Sequence, residues 1–316
     1  VTDSLTILEG DALSQLRELE AESVQACVTS PPYWGLRDYG HVRQIGLEAT
    51  PDLYVAHLVE VFAEVKRVLR SDATLWLNLG DTFFGDAPTR TDSSRNGGKR
   101  RSKARIQDLK PKDLVGIPWL VAFALRANGW WLRSDIVWAK PNVMPESVKD
   151  RPTRAHEFVF LLTKSPRYYY NAEAIVERAN YDGRTKTMFE GGVKYQDDAQ
   201  YMPHEKANTS SFTGHERWRC DGNGQHIRNA RSVWHIANEG FEGAHFATFP
   251  TRLPRRCILA GSKPGDVILD PFAGSGTTGK VALELGRKAI LIEAKREYIA
   301  MIEERCRHTT VGLPFG

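Results

Sequence analysis

The sequence predicts an α/β protein built on a doubly wound, Rossmann-like sheet. Three observations carry that expectation. Short apolar runs of strand length alternate with helical stretches from Leu5–Leu8 to Lys288–Ile292. Near the end, Val267–Leu269 leads into Gly274-x-Gly276-x-x-Gly279, a helix, and a second strand closing on Glu293. That is the register of a mononucleotide-binding unit, with the acid placed to bond a ribose diol. Near the start, the apolar run Val24–Val28 stops at Thr29-Ser30-Pro31-Pro32-Tyr33, where two prolines end the ladder in a stiff, extended turn. Open sheets of this class bind ligands at the C-terminal ends of their strands, so both turns are expected at one crevice.

The elements follow in order. Leu5–Leu8 forms a strand ending at Glu9-Gly10-Asp11, and Asp11 is placed to cap a helix over Ala12–Leu19. Val24–Val28 has the continuous apolar character of a strand covered on both faces. The turn after it presents the Ser30 hydroxyl, main-chain carbonyls with few local donors, and the Tyr33 ring with Trp34 behind it. A hydroxyl and a carbonyl can accept both hydrogens of one exocyclic amino group, and a tyrosine can stack on a base that has left its helix. An ordinary proline turn with a packed tyrosine has the same local sequence. Thr50-Pro51 opens a helix running to Leu69. Ala73–Leu79 is the next strand, and Gly80–Phe84 at its end puts Asp81 near the crevice or on a solvated loop.

A helix over Leu114–Asn128 stops at Gly129; Trp131–Trp138 alternates as a strand, and Phe158–Thr163 supplies another. Arg151, Arg154 and His156 sit between these strands and Lys140-Pro141-Asn142 follows the first; the family resemblance given below implies that the pair forms the far edge of the sheet and that this tripeptide faces the target base. Ser232–Ile236 returns to the fold. Val267–Leu269 precedes the helix Thr277–Leu285, which Gly286 ends. After Lys288–Ile292, a last helix over Arg296–Arg307 packs on the sheet.

Two stretches depart from this alternation. Residues 85–113 are poor in large apolar side chains and centre on Lys99-Arg100-Arg101; the expectation is a flexible basic loop that clamps DNA, or else a solvated excursion. In 177–232 the periodicity fades and cations such as Arg184, Lys186, Arg217, Arg219 and Arg228 interleave with aromatic residues. Phosphate contacts and base-edge reading require that mixture. The expected organisation is one domain of 1–176 and 233–316 interrupted by a distinct region, 177–232, where the family resemblance given below implies target recognition. His204, His215, Cys220 and His226 match no common ligand spacing, so no metal site is expected.

A formal charge of +4 and a pI near 8.8 suit a polyanionic partner. Apolar content of 41% with 26% charged residues is that of a globular chain. Cys27, Cys220, Cys257 and Cys306 show no C-x-x-C spacing, which argues against a disulfide framework and fits a reducing cytosol. No apolar run of membrane-spanning length and no signal-peptide pattern are seen, and a cytoplasmic location is expected.

Taken together, the two turns resemble those of the amino-methylating DNA methyltransferases. Thr29–Tyr33 resembles their catalytic motif and Asp270–Gly279 their cofactor motif, in the circularly permuted order of the β group. His245–Pro250, with Leu253 and Ile258, is similar to the segment that precedes the cofactor motif. The resemblance covers most of the chain outside about residues 85–112 and 178–232. It implies S-adenosylmethionine as methyl donor, held by Asp11, Asp270, Pro271, Phe272, Gly274, Ser275, Gly276, Thr277 and Glu293, with Asp81 on the same side. It implies catalysis at Ser30, Pro31, Pro32 and Tyr33 on double-stranded DNA, by a monomer or homodimer, with a cognate restriction endonuclease as a candidate partner. Adenine-directed members of that family usually carry Asp or Asn where this chain has Ser30, and cytosine-N4 members usually carry Ser. N4 of cytosine is therefore the expected target and N6 of adenine the alternative; phosphate attraction alone does not exclude RNA. A nicotinamide oxidoreductase would be expected to carry a second mononucleotide half after Glu293 and would leave the proline turn unexplained. A non-enzymatic DNA-binding module would not need the glycine turn.

Overall fold

Every residue of Val24–Thr29 (β2) is buried, as a strand covered on both faces requires, and the sheet is assembled around it. The structure, a computed structural model, describes residues 4–36, 44–85, 109–179, 219–239, 249–307 and 309. Leu5–Glu9 (β1) leads into helix α1, Ala12–Glu18, and Asp11 accepts the Ser14 N–H at 3.0 Å as its cap. Thr50 caps α2, Pro51–Val68, which passes directly into β3, Leu69–Leu79. Strand β3 thus starts four residues before the expected Ala73, and a register shift against β2 between Val24 and Ala26 accommodates the extra length.

Helix α3 spans Ile117–Ala127 rather than starting at Leu114, because its first amides are held from outside. Asp81 Oδ1 accepts the N–H groups of Gly116 (2.9 Å) and Ile117 (3.0 Å). Strands β4, Trp131–Ala139, and β5, His156–Thr163, are antiparallel partners. After β9, Val233–His235, come α4, Arg252–Gly261, and β10, Val267–Asp270. Helix α5, Thr277–Glu284, strand β11, Lys288–Glu293, and helix α6, Arg296–Arg307, complete the described elements of this sheet and its layers.

The strand order is β1-β11-β10-β2-β3-β5-β4-β9. All neighbours pair in parallel except β5, which runs against both β3 and β4. The expectation that β4 and β5 end the sheet is corrected: β9 pairs with β4 over Val137–Ala139 and lies outside it. Buried Trp234 holds it there, tilted against Trp76 at a centroid distance of 6.2 Å, while Trp138 Nε1 donates to the Ile236 carbonyl at 2.8 Å. Helices α1, α2 and α3 pack together, and α4, α5 and α6 pack together. The last two parallel strands of the chain, β10 and β11, lie between its first two, β1 and β2. The connections from β10 and from β2 therefore leave in opposite directions, and such a switch point opens a crevice at the strand ends.

By its internal contacts the chain divides into Val1–Ala174 with Ser232–Gly316, and Ile175–Arg231. In the second unit the described residues form a small antiparallel sheet of β6, Glu177–Arg178, β8, His226–Arg228, and β7, Arg219–Cys220. Asp221 closes the β7–β8 turn by accepting the amides of Asn223 and Gln225. No helix among the described residues is long and apolar enough to cross a membrane.

Candidate active site

The ends of β2 and β10 are tied by a buried carboxylate. Asp270 Oδ1 accepts the Thr29 hydroxyl at 2.6 Å and the Phe272 N–H at 3.1 Å, and its Oδ2 accepts the Thr278 hydroxyl at 2.7 Å. Burial pushes this carboxyl up to about 6 against the opposing pull of those hydrogen bonds. Asp270 is only 1% exposed and is not among the residues that line the cavity described below. Its part is to fasten the two turns side by side although they are 241 residues apart in sequence.

On the β2 side, the turn is stiffened from behind. Tyr54 donates its hydroxyl to the Pro32 carbonyl at 2.9 Å, and Trp34 Nε1 donates to the Glu48 carbonyl at 3.0 Å. Among the described residues no hydrogen bond engages the Pro31 carbonyl, which leaves it free to accept. Tyr33 lies against the backbone at Gly80, where a Cβ would meet its Cε2 at 2.5 Å. Its hydroxyl reaches Glu157 Oε2 at 2.7 Å and Asn78 Oδ1 at 3.3 Å, and receives the Ser30 hydroxyl at 3.3 Å. Burial, then the neighbouring Glu157 carboxylate, hold the Tyr33 phenol well above its usual pKa. Asn78 also donates to Glu157 at 3.1 Å, and Lys140 is ion-paired to the other oxygen of Glu157.

On the β10 side, backbone conformation dominates. Gly274, at φ +53°, has nothing within 4 Å of where a Cβ would stand, and its N–H donates to Glu293 Oε2 at 2.8 Å. Burial raises the Glu293 carboxyl, while the amides of Lys295 and Gly274 favour its charged form. Gly276 is not among the residues that line the cavity. At φ +78° it begins α5, and a Cβ there would come within 2.9 Å of Ile302. Gly279 lets α5 lie on β11, since a Cβ would stand 2.4 Å from Leu291 Cδ1. Ser275 accepts from Arg305 through both its carbonyl (2.8 Å) and its hydroxyl (2.5 Å).

A cavity of about 460 Å³ joins the two turns. Its walls include Ser30, Pro31, Pro32 and Tyr33 on one side and Asp11, Pro271, Phe272, Gly274, Ser275, Thr277 and Glu293 on the other. Asn78, Lys140, Glu157, Glu239 and Tyr298 also face it. Of these five, sequence reasoning singles out only Lys140. The available signal for Asn78 and Glu157 is a polar side chain set against the apolar run of its strand, residues 75–79 and 158–162. Asp81 caps α3 instead of lining the cavity. Three carboxylates, Asp11, Glu239 and Glu293, suit a cationic ligand, and the open space over Gly274 admits one, so the residues present fit a sulfonium donor with ribose hydroxyls. Lys99, Arg100, Arg101, Arg184, Lys186, Arg217 and residues 245–248 lie outside the described residues. Of the expected DNA contacts, Arg219 donates to Asn229 Oδ1 at 2.9 Å and Arg228 Nε lies 3.7 Å from Glu177. Cys220 and His226 meet at 3.5 Å across β7 and β8; His204 and His215 lie outside the described residues.

The family model described as DNA methylase, that of the N6/N4 methyltransferases, matches residues 24–304. The chain is 47% identical over 303 residues to the type II methyltransferase M.Cfr9I of Citrobacter freundii, covering 95% of this chain and 87% of that one. Among solved structures it is similar to the PvuII DNA methyltransferase (cytosine-N4-specific), with a TM-score of 0.64 at 19% identity over 96% of this chain and 87% of that one. It is also similar to a putative DNA modification methylase of Thermus thermophilus complexed with S-adenosyl-L-methionine. There the TM-score is 0.58 at 23% identity, over 98% of this chain and 96% of that one.

Proposed function

The chain belongs to the N6/N4 DNA methylase family and is an S-adenosylmethionine-dependent DNA methyltransferase; from that premise we propose that it methylates the exocyclic N4 of a flipped cytosine within a specific duplex site. The observation that supports this reading is the shared cavity: the Ser30 hydroxyl and the Gly274–Glu293 turn face one space. Bound S-adenosylmethionine supplies an electrophilic methyl group. Asp11, Phe272, Gly274 and Glu293 would hold that molecule.

The amine of cytosine is a weak nucleophile because its lone pair is delocalised into the ring. Ser30 Oγ and the Pro31 carbonyl accept its two hydrogens, which draws the nitrogen toward sp³ and aims its lone pair across the cavity. This is positioning and electrostatic stabilisation, with no covalent bond to the enzyme. Tyr33 contributes a ring against the base, replacing part of the stacking lost on flipping. A serine at this position, where adenine-directed relatives of the resembled motif carry Asp or Asn, favours cytosine. Arg219 and Arg228, with the basic residues of 85–113 and 177–232, contribute phosphate and base-edge contacts.

Digestion of treated DNA to nucleosides, followed by mass spectrometry, tests the assignment. N4-methylcytosine is the expected product. N6-methyladenine would transfer the activity to the other base of the family and overturn the cytosine reading.

A further inference from the structure

Ser30, Tyr33 and Glu157 form a chain of donors that points away from the cavity's reacting side. The Ser30 hydroxyl donates to the Tyr33 hydroxyl at 3.3 Å, and the Tyr33 hydroxyl donates to Glu157 Oε2 at 2.7 Å. Glu157 is in turn held by two further donors, Asn78 Nδ2 at 3.1 Å and the Lys140 ammonium. Side chains of Glu157 and Lys140 are only 17% and 15% exposed. An ion pair that far out of water is weak evidence for stabilisation, because desolvation offsets much of the attraction. Its place on the cavity wall beside the amine acceptor needs another explanation.

We infer that Glu157 is the terminal proton acceptor of the reaction, reached from the target amine through Ser30 and the Tyr33 hydroxyl. The inference rests on the placement of the amine against Ser30 proposed above. When the amine nitrogen gives its lone pair to form the new N–C bond, the C–S bond breaks and its electron pair stays on sulfur. The nitrogen then carries a positive charge and must lose one hydrogen as a proton. That proton passes to Ser30 Oγ as the serine's own proton passes to the Tyr33 oxygen, and the tyrosine's proton passes to Glu157 Oε2. The carboxylate ends as a neutral acid, and solvent regenerates it after product leaves. Lys140 and Asn78 are positioning residues: they fix the carboxylate so that its free direction faces Tyr33. The 3.3 Å link is long for two hydroxyls, and such links commonly shorten when substrate is bound.

The test is a double-mutant cycle. Tyr33→Phe keeps the ring and cuts the relay in the middle; Glu157→Gln keeps the shape and removes the acceptor. Each should slow single-turnover methylation by about 100-fold, leaving dissociation constants for S-adenosylhomocysteine and for DNA within about twofold. The double variant should be no slower than either single one, because both interrupt one path. Losses that multiply, losses confined to binding, or a fully active Tyr33→Phe would overturn the relay. Ser30→Ala separates this from the reading beneath it. Full activity there removes the amine from Ser30, whereas an inactive Ser30→Ala beside a fully active Tyr33→Phe removes the relay alone. The rate is read on whichever base the enzyme methylates, so a wrong base leaves the test intact.

Discussion

The two turns that meet in the cavity are built by different means. The proline turn after β2 is held by side-chain hydrogen bonds gathered from β3, β5 and α2: Asn78, Glu157, itself paired with Lys140, and Tyr54. The glycine turn after β10 is shaped by left-handed residues at Gly274 and Gly276 and by close packing on Ile302, and the side chains of Asp270, Glu293 and Arg305 bind its backbone from within and beneath. The side that handles a proton-bearing amine is preorganised polarity. The side facing the donor molecule is preorganised shape. Substitutions should therefore divide into those that damage chemistry and those that damage folding or cofactor affinity.

The largest effect is expected at Ser30→Ala, which should lower turnover by about 10²–10³-fold, as loss of one preorganised partner does. Cofactor affinity, followed by titration calorimetry with S-adenosylhomocysteine, should be nearly unchanged; equal losses in both would erase the contrast between the turns. Gly276→Ala should do the reverse. It forces a side chain into left-handed backbone and against Ile302 at 2.9 Å, at about 2–4 kcal/mol of stability, read as a lower midpoint in urea.

Asp270 joins the two regions and offers a pH test. Its folded-state pKa, about 6, lies above the ordinary 3.8. The stability this group contributes is therefore present below about 3.8 and lost as pH rises through about 6. Relative to Asp270→Asn, wild type should lose stability between about pH 4 and pH 6.5, by at most about 1.4 kcal/mol per pH unit. A difference that is flat across this range would mean the clamp is not proton-linked. The smallest effect is expected at Gly274→Ala, where the added Cβ meets nothing within 4 Å. Only the left-handed backbone opposes it, at about 1–2 kcal/mol, seen as weaker S-adenosylhomocysteine binding with little change in the rate at saturation.

Expectations resting on neighbours in sequence agree with the structure closely. Asp11 and Thr50 cap helices that start where the sequence places them, and Pro51 occupies the first turn of α2. Asp81 shows the limit of such reading: an acid after a strand suits a ligand contact and a helix cap alike, and only the return of α3 to that strand end made it a cap. Residues 85–113 show another limit, since their basic composition names a partner without a geometry.

What the sequence alone determined is local: the order and kind of the main strands and helices, the starts of α1 and α2, and that a proline turn and a glycine turn end two of the strands. Capping, the fixed φ of proline and the left-handed freedom of glycine act within a few residues and leave their mark in order along the chain. What only the tertiary structure decided is who meets whom. Asp270 fastening Thr29, Glu157 holding Tyr33 and β9 closing the sheet are contacts across long separations. Periodicity does not encode such meetings, because they exist only once strand order has brought distant segments to one edge.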